Sequence, residues 1–123
     1  MNAQELERLV RKYYGYVADL EGSGAEAFDL LFVRDQIQCI LDVSTPEEMI
    51  PGPLFERIHE LDGLLWAERE MFRMVVGEKE LQHARRRQRS PRSRWWWYVD
   101  ELTALPQPVH ERRERLAQAF ALA

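Results

Sequence analysis

The chain has 123 residues, 46% hydrophobic and 31% charged, with a net charge of −4 and one cysteine. That length suits a single domain spanning 1–123, which can bury roughly two thirds of its unfolded surface without metal or disulfide support. The aromatic content argues against disorder, and no charge-free window is long enough to cross a bilayer.

The start, MNAQELERLVRKYY, is charged and lacks the apolar run of a signal peptide. The expectation is therefore a cytoplasmic protein. Leu6, Leu9, Val10, Tyr13, Val17 and Leu20 recur at helical spacing and predict a first helix ended by Gly22 and Gly24. Ser23 is a candidate cap for the next helix. From Ala27 to Leu41 the chain is apolar nearly all round, with Asp35, Gln38 and Asp42 as its polar line. Such a helix belongs near the centre of a bundle. Cys39 lies in this apolar run, which predicts a buried, unreactive thiol.

STPEEM, 44–49, reads as a cap, a first-turn proline and acids at the positive helix end, stopped at once by PGP. Leu54, Ile58, Leu61, Leu65, Phe72, Val75 and Val76 then hold one helical phase for over twenty residues. Asp62–Gly63 resembles a turn signal, but the unbroken phase favours a helix through it. At Gly77 the phase is lost. EKELQHARRRQR, 78–89, forms helix well but has almost no apolar face, so 78–94 reads as a basic extension, linker or kinked continuation. Ser90–Pro91 looks like a cap and first-turn pair, predicting a fourth helix that carries WWWYVDEL. Pro106 and Pro108 close it, and Val109, Leu116, Phe120 and Ala123 suggest a last, weaker helix. No segment alternates as a strand does. The expected fold is all-α, an irregular bundle of four to five helices.

Motifs for catalysis are sparse. Two Glu-x-x-His pairs, Glu56/His59 and Glu80/His83, fall far apart on what reads as one helical stretch, so they cannot share an ion. HELDG lacks the second histidine of the zinc-protease motif, and no phosphate loop or nucleophile elbow is present. Glu56, Glu60, Glu68 and Glu70 read as a solvated face. The expectation is no enzyme, no cofactor, no metal and no small-molecule substrate.

Charge is distributed unevenly. Residues 79–94 carry seven basic residues against Glu80, a balance of +6, while the rest of the chain stands at −10. Three consecutive tryptophans follow. On a helix Trp95, Trp96 and Trp97 would point in three directions, more than one core face can hold. One reading keeps the segment internal: Trp95, Leu102 and either Tyr98 or Val99 enter the core, with Trp96 and Trp97 lying sideways under stacked arginines that pair with the acidic body. The other makes it a working surface, because Trp, Tyr and Arg are enriched at binding hot spots. The expected function is a non-catalytic adaptor, assembly factor or regulatory subunit. It binds a protein partner, or a second copy as a homo-oligomer, through Arg85, Arg86, Arg87, Arg89, Arg92, Arg94, Trp96 and Trp97. The alternative is a helical nucleic-acid-binding subunit using the same segment, arginines on phosphates and aromatics on bases.

Overall fold

The computed structural model describes residues 3–44 and 50–106. Helix α1, Ala3–Ala18, buries the stripe Leu6, Leu9, Val10, Tyr13 and Val17. Its apolar positions recur every three or four residues, so one face turns inward and the charged remainder stays wet. A short helix α2, Leu20–Ser23, follows. Its cap is Asp19, whose carboxylate accepts from the Gly22 N–H at 3.0 Å. Ser23 is not the expected cap, because its hydroxyl donates instead to the Asp19 carbonyl. A 3-10 turn, Gly24–Phe28, leads into α3, Asp29–Val43.

Helix α3 buries Leu30, Leu31, Val33, Arg34 and Ile37. Cys39, expected inside, is exposed. The reason is helical phase: Cys39 lies one turn beyond Asp35, beside the polar line rather than opposite it. Of STPEEM, residues 45–49 lie outside the described residues.

The apolar phase from Leu54 to Val76 belongs to two helices, α4, Gly52–Ala67, and α5, Arg69–Val76. Gly63 lies within α4, as the unbroken phase requires, and the break falls at Glu68 (φ −100°, ψ 18°). Gly77 ends α5 with φ 87° and ψ 130°, a conformation that favours glycine. The chain therefore changes direction there, and α6, Glu78–Gln88, turns Leu81 and Ala84 into the core. That redirection explains why Leu81 falls out of phase with the helix before it. The Glu-x-x-His pairs consequently sit on different helices, α4 and α6.

The described helices pack on one another with no strand among them. Helix α1 lies against α3 and α4, and α5 lies against the 3-10 turn, α2 and α6. Their buried faces form a single hydrophobic cluster. Among the described residues no helix is long and apolar enough to cross a membrane.

Two expectations about the C-terminal third are corrected. Ser90–Pro91 does not start a fourth α-helix, and WWWYVDEL is not α-helical. The chain leaves α6 through Arg89, whose left-handed conformation (φ 50°, ψ 43°) reverses it. The Arg89 N–H bonds the Arg86 carbonyl and the Ser90 N–H bonds the Arg85 carbonyl, the paired closure of a Schellman end. Trp95–Trp97 then form one isolated 3-10 turn. The suggested last helix, with Val109, Leu116, Phe120 and Ala123, lies outside the described residues.

Candidate functional site: the arginine and tryptophan segment

A 3-10 turn has three residues per turn, so consecutive side chains diverge by about 120°. The three tryptophans use that divergence to meet three different neighbours. Trp95 packs edge-on against Trp66 of α4, centroids 6.2 Å apart, and against Trp96 at 5.8 Å. Trp96 lies under the Arg34 guanidinium, 4.2 Å from the ring centroid. Trp97 meets Phe32 and Phe28 edge-on at 5.4 and 6.4 Å. All three indoles are buried, Trp96 at 1% and Trp97 at 0% exposure. The expected surplus of tryptophan surface is therefore absent. The physical reason is where the turn is laid: Trp96 and Trp97 are covered by α3, through Arg34, Asp35 and Phe32, while Trp95 is covered by Trp66 of α4.

The indole N–H groups need acceptors, because a buried donor without one costs about 1–3 kcal/mol. Asp35 supplies them. It accepts from Trp96 Nε1 at 2.8 Å and from Trp97 Nε1 at 3.0 and 3.1 Å. Arg94 closes the same carboxylate at 3.1 Å and reaches Cys39 Sγ at 3.4 Å.

Behind this clasp lies a second network that composition gave no reason to expect. Arg34 binds Asp62 through two parallel hydrogen bonds, 2.9 and 3.0 Å, with both side chains at 4% exposure or less. Tyr13 donates to the same carboxylate at 2.6 Å. Burial alone would weaken the Arg34 proton's hold, but Asp62 outweighs it and keeps the guanidinium above its ordinary value. Burial, with the Asp62 charge behind it, pushes the Tyr13 hydroxyl well up. The network is thus a fixed, charge-balanced core that braces Trp96. Sequence carried two signals for it: Asp62 shares the inward phase of Ile58, Leu61 and Leu65, and Arg34 interrupts an apolar run.

The arginines divide into two groups. Arg85 donates to the Trp97 carbonyl at 2.7 Å, to Asp100 at 2.7 and 3.3 Å, and to Glu101 at 3.3 Å. Arg92 pairs with Glu101 at 3.0 Å, and both Arg85 and Arg92 lie over the Tyr98 ring. With Arg94 on Asp35, these three tie the segment to its own chain. Arg86, Arg87 and Arg89 are exposed, and no carboxylate among the described residues pairs with them. Of the expected partner-binding residues, these three and Arg92 are exposed, and Arg92 differs from them in pairing with Glu101. Trp96 and Trp97 act from beneath by holding the turn.

Beside α6 runs an open groove of about 410 Å³, lined by Phe28, Val75, Val76, Glu80, His83 and Arg87. Among the described residues no group of three or more His, Cys, Asp or Glu side chains converges to hold a metal ion. No family model, no curated protein and no solved structure matches this chain.

Proposed function

We propose that this protein is a non-catalytic interaction module that captures a protein partner on the basic end of α6. The observation that carries the reading is the exposure of Arg86, Arg87 and Arg89 without carboxylate partners among the described residues, although the chain outside 79–94 stands at −10. Cations in the last turn also favour the helix itself, by about 0.3–1 kcal/mol each. Three arginines held on a braced scaffold offer more than that local role needs. Arginine pairs bidentately with carboxylates, which suits an acidic protein surface. A second copy of this acidic chain is one such surface.

Protein is favoured over nucleic acid by the fate of the aromatics. Stacking on unpaired bases needs open rings. Trp95, Trp96 and Trp97 are buried, and Tyr98 is half-buried beneath Arg85 and Arg92.

The test is affinity recovery from the native host with the tagged chain and with the variant Arg86→Gln/Arg87→Gln/Arg89→Gln, each with and without nuclease. The expected result is a protein recovered with the parent chain, lost with the variant and indifferent to nuclease. Recovery that nuclease abolishes would favour the nucleic-acid reading. A partner retained by the triple variant would overturn the role of the arginines.

A further inference from the structure

The outer face of α6 can be drawn from helical angles alone. At 100° per residue, Lys79, His83, Arg86 and Arg87 fall within about 120° of one another, with Glu80 at the margin. Glu80 does not neutralise this rail as its charge suggests. Its carboxylate folds back over Gly77 at the helix N-terminus, where a Cβ on residue 77 would collide with it. There it meets the positive end of the helix dipole. The remaining face carries the cations Lys79, Arg86 and Arg87 beside the His83 imidazole, and Arg87, His83 and Glu80 also line the groove. The groove floor, by contrast, is apolar: Phe28, Val75 and Val76.

An apolar floor beside a cationic rail matches a ligand with the opposite plan. We infer that this groove takes an acidic amphipathic helix of a partner protein, its apolar side chains against Phe28, Val75 and Val76 and its carboxylates on Arg86 and Arg87. The inference rests on the protein-partner reading above and specifies the chemistry of that partner. A helix is the form that fits, because the described residues offer no strand edge for an extended peptide to join. The groove's single aromatic side chain is also a poor match for a polyproline ligand, which docks on several aromatic rings. The chain's own C-terminal stretch lacks the required charge, since Arg112, Arg113 and Arg115 outnumber Glu111 and Glu114.

The experiment uses the full chain and a synthetic peptide of about five helical turns. Leucines sit at i, i+3, i+4 and i+7, with glutamates on the flanks. A control peptide keeps every glutamate and replaces the leucines with serine. Binding is followed by fluorescence anisotropy of the labelled peptides at low salt. The leucine peptide should bind at least about tenfold more tightly than the serine peptide, since several buried apolar side chains separate them. Val75→Glu should remove that advantage, and Arg87→Gln should weaken both peptides. Equal binding of the two peptides would overturn the groove while leaving the basic rail intact. Binding of neither would sink both readings. A dimer in sedimentation that Val75→Glu dissolves would assign the groove to a second copy and overturn the inference. The serine control needs no protein variant, so the outcome stands even if Val75→Glu fails to fold.

Discussion

The Asp35 carboxylate on α3 accepts the indole N–H of Trp97, 62 residues further along the chain, at 3.0 and 3.1 Å. Trp96 and Arg94 share the same acceptor. One side chain therefore fixes the turn that follows α6. Asp35→Ala should leave two buried indole donors unsatisfied and cost about 2–4 kcal/mol, or roughly 10 °C in melting temperature. Asp35→Asn keeps one acceptor oxygen and should cost less. Thermal melts followed by tryptophan emission would test both, and a shift smaller for Ala than for Asn would contradict the clasp.

That long-range pairing also marks where the sequence stopped being legible. The stripe of α1, the passage of helix through Gly63 and the break at Gly77 all follow from local spacing and backbone preference, and each could be read directly. Ser90–Pro91 followed by WWWYVDEL carries the local marks of a helix start. What defeats that start is Arg89 reversing the chain, in a local closure on Arg85 and Arg86 that no glycine announces, and Asp35 drawing the indoles in, a pairing that only the fold brings together. The same holds for the arginines. Composition gave a single basic block, whereas geometry divides it into Arg85, Arg92 and Arg94, paired with carboxylates of their own chain although Arg92 stays exposed, and Arg86, Arg87 and Arg89, exposed without such a pair among the described residues.

Arg89 adopts a left-handed conformation that costs a residue with a Cβ about 1–2 kcal/mol. Glycine is the residue commonly found at that helix-end position. Arg89→Gly should therefore raise stability by roughly 0.5–1 kcal/mol, despite the extra chain entropy of glycine. The urea midpoint would report it, and a clear fall would show that the guanidinium contributes more than its backbone costs. Gly77→Ala should do the opposite. At φ 87° its Cβ would be strained and would meet the Glu80 carboxylate, so a loss of about 1–3 kcal/mol is expected from the same measurement.

Burial by itself would raise the Asp100 carboxyl, but the hydrogen bond and charge of Arg85 outweigh burial and hold it below its ordinary value. The native state therefore binds this proton less tightly than the unfolded chain does. Its contribution to stability is complete above the unfolded value, about 3.9, and is lost as pH falls through the lower folded value. Asp100→Asn should flatten the acid limb of stability below about pH 5. Denaturant midpoints across that range provide the check, and an unchanged slope would mean that the Arg85 pair contributes nothing to acid sensitivity.

The Arg34–Asp62 pair makes the most demanding prediction. A buried ion pair is not strongly stabilising in itself, because desolvation offsets most of the attraction, but losing one partner leaves an uncompensated charge. Asp62→Leu should therefore cost about 3–5 kcal/mol, a large share of the 5–15 kcal/mol typical of a domain. It would strand Arg34 between Trp96 and the α1 face, and leave the Tyr13 hydroxyl without its acceptor. Adding Arg34→Met and Tyr13→Phe removes both stranded groups and lets an unbranched apolar side chain fill the space above Trp96. The triple variant should recover most of the loss and melt well above Asp62→Leu alone. A triple variant no more stable than the single one would mean that the network contributes directional order around Trp96 that packing cannot replace.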